Sequence, residues 1–175
     1  TDYNLACSSV TFRKCRIQAL RARGLNLKAQ NCLIEDCLFY DCPMPAVSGG
    51  PEMWWGEGPA LHKFTVRNNR FINCNTRCID IAYFDGGSQC IARENRDILI
   101  EGNTFIHWGA HDTIHRGFIP QCPIRISNAD GVTIRNNTFA DPVMPDKPVR
   151  VLIENSNHVF LEGNHNLPDG AVLRR

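Results

Sequence analysis

Six segments of this chain align on one another without gaps. They are VTFRKCRI from Val10, CLIEDCLF from Cys32, FTVRNNRF from Phe64, ILIEGNTF from Ile98, VTIRNNTF from Val132 and VFLEGNHN from Val159. Their starting positions differ by 22, 32, 34, 34 and 27 residues. A repeat of this length constrains the fold more than any other feature, because one unit is too small to bury its own apolar face and must stack on its neighbours. The template reads apolar, any, apolar, Arg or Glu, turn residue, Asn or Cys, any, Phe-like. Its first and third positions alternate with outward ones, the period of a half-buried strand. The Arg or Glu closes the strand on the solvent side. The turn position then takes residues such as Asn and Gly, which tolerate a left-handed backbone. Phe39, Phe71, Phe105 and Phe139 re-enter the core after the bend.

Second strands follow within most units: GLNLKA from Gly24, PAVSGG from Pro45, CIDIAYF from Cys78, CPIRISN from Cys122 and VRVLIEN from Val149. No segment shows helical periodicity. Several strands per turn without helices predict an all-β fold, a right-handed parallel β-helix (a pectate-lyase-like solenoid) of about six rungs. A β-propeller, with four antiparallel strands per roughly 40 residues, fits less well. Residues 1–175 are expected to form a single domain, the C-terminal part of a longer solenoid.

The repeat also explains the nine cysteines, an odd number with no CxxC pair. Cys15 and Cys37 take the template position of Asn69, Asn103, Asn137 and Asn164, so these six residues are expected to form a ladder along one corner. Cys42 and Cys74 stand in register with Leu20 and Trp108. They read as small buried hydrophobes rather than metal ligands, with a disulfide between neighbouring rungs, such as Cys15–Cys37, left open. Acids and bases nearly cancel, at a net charge of +1, which argues against a nucleic-acid partner. No run approaches the roughly 18 apolar residues of a membrane span.

The stretch GPEMWWGEGPALHKFTVRNNRF from Gly50 sets two tryptophans beside two carboxylates in a Gly/Pro-flanked loop. With its Trp55–Glu57 spacing, the strand and Asn-Asn turn that follow, and CIDIAYF around Asp80, it resembles the blood-group B type alpha-1,3-galactosidases, glycoside hydrolases built on a right-handed parallel β-helix. PIRISNADGVTIRNNTF from Pro123 is similar to that family's penultimate coils. The resemblance covers roughly residues 24–139. Two departures stand out: the family's Gly-Asp at the head of the loop is Gly50-Pro51 here, with Glu52 the nearest carboxylate. The family's coil with paired aspartates has no counterpart in these residues and is expected upstream of Thr1.

The resemblance implies a secreted or periplasmic exo-glycosidase acting on an oligosaccharide through carboxylate acid/base catalysis, without metal or cofactor. Glu57 and Asp80 would be catalytic, and Glu52, Trp54, Trp55, Asp85 and Arg125 would bind substrate. Such hydrolysis needs two carboxylates flanking the scissile bond. Outward positions of successive short strands line one face of a solenoid. Asp80, between Ile79 and Ile81, and Arg125, between Ile124 and Ile126, should therefore lie on adjacent rungs, about 4.8 Å apart. They either pair with each other or hold a ligand together. Bland alternatives stand beside these roles: a surface ion pair for Asp80 and Arg125, a cover over the core edge for the tryptophans, a turn residue for Asp85. His111, Asp112 and His115 read as a solvated loop, and the sequon at Asn136 falls on the ladder. Two further function classes remain: a non-catalytic glycan-binding or surface module, and a polysaccharide lyase or epimerase.

Overall fold

The computed structural model describes residues 7–74, 77–83, 92–109, 122–140 and 149–175, excepting the side chain of Trp54. Its strands fall into three parallel sheets. The first contains β1 (Thr11–Arg13), β4 (Gln30–Glu35), β7 (His62–Arg67), β10 (Asn95–Glu101), β13 (Ala129–Arg135) and β16 (Asn157–Glu162), in that spatial order. These are the six aligned segments. The second contains β2 (Arg16–Gln18), β5 (Leu38–Tyr40), β8 (Arg70–Ile72), β11 (Thr104–Ile106) and β14 (Thr138–Ala140). The third contains β3 (Leu25–Leu27), β6 (Val47–Gly49), β9 (Ile79–Ile81), β12 (Ile124–Ser127), β15 (Val151–Glu154) and β17 (Val172–Arg174). Each strand thus pairs with its equivalents one repeat away, and the chain is a parallel β-helix-like solenoid. No α-helix occurs among the described residues.

The corner between the first two sheets shows why this template coils. Lys14, Asp36, Asn68, Gly102, Asn136 and Gly163 all adopt positive φ, between 54° and 64°. The left-handed residue turns the chain at the same point of every repeat. Its amide donates to the next rung in each of the first five turns, as from Asn68 to the Glu101 carbonyl at 2.9 Å. A Lys or Asp in this conformation costs on the order of 1 kcal/mol, offset because the rungs above and below over-determine the bend.

Directly after the turn lies the ladder. The amides of Asn69, Asn103 and Asn137 each donate to the Oδ1 of the next asparagine at 3.0 Å. Each Nδ2 donates back to the preceding rung, to Ile34, Val66 and Ile100 respectively at 2.9, 2.9 and 3.0 Å. A buried polar column is therefore satisfied on both sides, as burial requires. Cys37 does the work of both amide atoms with one sulfur. Its Sγ accepts the Cys15 amide at 3.4 Å and donates to the Phe12 carbonyl at 3.6 Å.

Inside, Phe39, Phe71, Phe105 and Phe139 stack with ring centroids 4.9, 5.0 and 5.2 Å apart, each contact worth about 1 kcal/mol beyond burial. Outside, Arg13, Glu35, Arg67, Glu101, Arg135 and Glu162 share one register column in strictly alternating charge. Glu35 accepts from both Arg13 and Arg67, at 2.7 and 2.5 Å. The hydrogen bond from Arg13, aided by Arg67, holds its carboxyl below the ordinary range against the opposing effect of burial. None of the eight described cysteines forms a disulfide.

Candidate functional site

The outer face of the third sheet carries the sequence-derived site. Its central outward column runs Asn26, Ser48, Asp80, Arg125, Leu152 and Leu173. Two groups of charges lie on or beside this column, and they differ in how far they reach solvent.

The first group is built by the loop that leaves β6. Gly50 has φ of 111°, and a Cβ there would lie 1.9 Å from the Ala82 carbonyl oxygen, so the exit passes flush against the neighbouring rung. The loop doubles back as a hairpin: Glu52 and Glu57 exchange main-chain hydrogen bonds at 3.0 and 3.1 Å. Between them Met53–Trp55 forms one 3-10 turn, ended by Gly56 in the left-handed conformation. Gly58 then packs against Lys28, whose Cβ would lie 2.4 Å from any side chain placed there. The hairpin is also pinned through its acids. Glu52, 7% exposed, contacts Arg23 at 3.1 Å and Lys28 at 3.6 Å. Lys28 reaches Glu57 at 3.0 Å, with the Glu57 side chain still 55% exposed. Trp55 projects from the turn at 70% exposure, beside a half-exposed Met53.

The second group is a linear network. Asp80, only 2% exposed, lies between Arg77 at 2.9 Å and Arg125 at 3.3 Å. Arg125 continues to Glu154 at 2.7 Å, and Glu154 to Arg175 at 2.9 Å. Burial opposes charge on both central groups and is outweighed: the carboxylates of Asp80 and Glu154 raise the Arg125 pKa. Hydrogen bonds from Arg125 and Arg175 likewise lower that of Glu154. Beneath the network, burial pushes the Cys122 thiol up to about 12, so it is an inert thiol.

The expected pairing of Asp80 with Arg125 across adjacent rungs is thus present. Asp80 faces out of the coil yet is covered by the two arginines, which alternation alone does not reveal. Arg23, Lys28, Arg77, Glu154 and Arg175 were not singled out from the sequence. For Glu154 a signal existed, since its strand belongs to the same third-sheet series as those of Asp80 and Arg125. Arg23 and Lys28 flank β3, in connections with no repeat register. Asp85, His111, Asp112, His115 and Cys90 lie outside the described residues, as does the Trp54 side chain. Among the described residues no group of three His, Cys, Asp or Glu side chains is arranged to hold a metal ion.

Chemically, the described residues of this face offer one carboxylate to solvent, one exposed indole and a bridging ammonium. The three remaining acids, Glu52, Asp80 and Glu154, are spent on guanidinium and ammonium partners. No protein-family model matches this sequence, and no curated protein shows significant similarity to it.

Proposed function

We propose that this chain is a carbohydrate-binding unit of a β-helix protein, with the Glu52–Glu57 hairpin as its recognition element. One observation carries this reading: Trp55 stands 70% exposed on a hairpin held at both ends by main-chain pairing and by Lys28. A large apolar side chain left in water on a braced loop is suited to contact. An indole offers a flat face to the C–H side of a sugar ring, and Glu57 and Lys28 supply an acceptor and a donor for hydroxyl groups. In this reading the coil is right-handed with about six rungs, the partner is a neutral oligosaccharide, and the protein works outside the cytoplasm.

A second reading, an alpha-galactosidase-like exo-glycosidase, draws on Glu57, which among the described site carboxylates is the one more than half open to solvent. It requires a second carboxylate facing Glu57. Asp80 does not offer one while both its oxygens are held by Arg77 and Arg125. That reading therefore takes its partner acid from residues outside the described set, Asp85 among them, or from further coils.

The two readings separate in one experiment. The protein is titrated with neutral oligosaccharides, including alpha-1,3-linked galactosides, while tryptophan fluorescence and galactose release are followed together. Saturable fluorescence change that disappears in Trp55→Ala, without sugar release, is the expected result. Release that disappears in Glu57→Gln establishes the glycosidase, and neither signal with any glycan overturns both.

A further inference from the structure

We infer that Cys15 and Cys37 form a modification site, an adjacent-rung thiol pair that a low-molecular-weight disulfide oxidises to an intramolecular bridge. The ladder brings them together. At the four other positions of this column, side chains of successive rungs touch directly, with Asn69 Nδ2 to Asn103 Oδ1 and Asn103 Nδ2 to Asn137 Oδ1 both at 3.0 Å. In the first two rungs the same stacking sets thiol on thiol. Cys37 Sγ accepts the Cys15 amide at 3.4 Å. Stacked strands place the two Cα atoms about 4.8 Å apart, inside the roughly 4.4–6.8 Å span of disulfides.

Accessibility selects this pair over the others. Cys42 and Cys74 also stack on one another, but both are fully buried. Cys15 is partly exposed, and Cys37 lies buried directly behind it. Exposure makes Cys15 the entry thiol, and contact makes Cys37 the resolving one. The chemistry is thiol–disulfide exchange. The Cys15 thiolate attacks one sulfur of glutathione disulfide, forming a mixed disulfide and releasing one glutathione thiolate. The Cys37 thiolate then attacks Cys15 Sγ, forming the Cys15–Cys37 bond and expelling the second. The two protons lost by the cysteines end on the two glutathione thiols, so the protein is oxidised by two electrons and the reagent reduced by two. The bridge would staple the β1–β2 corner to the β4–β5 corner.

The test uses the whole folded chain, incubated with glutathione disulfide, alkylated, digested without reductant and mapped by mass spectrometry. A Cys15–Cys37 cross-linked peptide pair is expected, two mass units below the reduced pair, while Cys42, Cys74 and Cys122 alkylate only after unfolding. Melting should rise by roughly 5–10 °C on bridging. Cys37→Ser should instead accumulate a stable glutathione adduct on Cys15. Cys7→Ser, which removes another exposed thiol, should leave the bridge unchanged. No adduct on Cys15 in the Cys37→Ser chain, or a bridge that instead uses Cys7 or joins Cys42 to Cys74, overturns the assignment.

Discussion

Asp80 and Glu52 look alike in composition: each is a carboxylate between two cations on the third-sheet face. They differ in what surrounds the pair. Asp80 is covered by its arginines and continues into Arg125, Glu154 and Arg175, a row held on strands of three successive rungs. Glu52 belongs to a hairpin outside the coil, and its cation Lys28 is shared with the open Glu57. The first arrangement is paid for in desolvation and tolerates no loss of a member. The second is buried at Glu52 but reaches water at Glu57, where an ion pair is worth little and can rearrange around a ligand. A clamp and an adaptable contact surface are thus built from the same residue types.

The sharpest way to break this contrast is Asp80→Ala. Removing the shared acid leaves two guanidinium groups facing one another under cover, which should cost about 3–5 kcal/mol of unfolding free energy. Urea denaturation measures it directly. A loss below about 1 kcal/mol would show that Arg77 and Arg125 simply swing into solvent, and the distinction between the two groups would vanish.

Next in size is the acid response. The folded-state pKa of Glu154 is lowered, by Arg125 and Arg175 against the effect of burial. Its contribution is therefore fully present above the unfolded value, about 4.3, and is lost as pH falls through the lower folded value. The stability difference between the native chain and Glu154→Gln should be constant from neutral pH down to about 5 and shrink below that. Thermal melts across pH 3–7 would reveal it. A difference that instead grows on acidification would mean that Glu154 titrates above its ordinary value, and the network would not be the clamp described.

Much of this was legible in the sequence, for a physical reason. A solenoid repeats its constraints, so the left-handed turn, the Asn/Cys ladder, the Phe stack and the Arg/Glu column each appear several times at fixed offsets. Any one instance is weak, but the column is not. The third-sheet strands were legible from apolar alternation up to β15; β17 was not, because VLR near the C-terminus is too short a run to stand out. The second sheet was read only as a point where phenylalanine re-enters the core, since three-residue strands carry little pattern of their own. The site was less legible. Asp80 and Arg125 pair because their rungs are in register, which repeat spacing predicts. The burial of Asp80 depends on Arg77, and the bracing of the hairpin on Lys28 and Arg23. These residues occur once, in connections whose length varies, and no period announces them.

Trp55→Ala sharpens the comparison from the other side. An indole left 70% exposed contributes little to the fold, so unfolding free energy should change by less than about 0.5 kcal/mol. Glycan affinity, by contrast, should fall about tenfold or more, a loss of roughly 1.4 kcal/mol or greater. Calorimetric titration of the variant against the native chain measures both consequences in one preparation. A variant that melts much earlier would make the indole a cover over the core edge, not a contact.

The smallest effect should come from Glu57→Gln, and its smallness is the point. The substitution keeps the hairpin's main-chain pair, since the two hydrogen bonds to Glu52 use backbone atoms only. It removes one ion pair in which Glu57 is more than half exposed while Lys28 retains Glu52. Exposed pairs of this kind are worth about 0.2–1 kcal/mol, so stability should fall within that range, and less at high salt because screening has already weakened the bond. Set beside Asp80→Ala, the ratio of the two losses measures how far burial alone separates a structural carboxylate from one left open for chemistry. If Glu57→Gln cost as much as Asp80→Ala, the hairpin would be part of the clamp and its acid would be no more available to a sugar than Asp80.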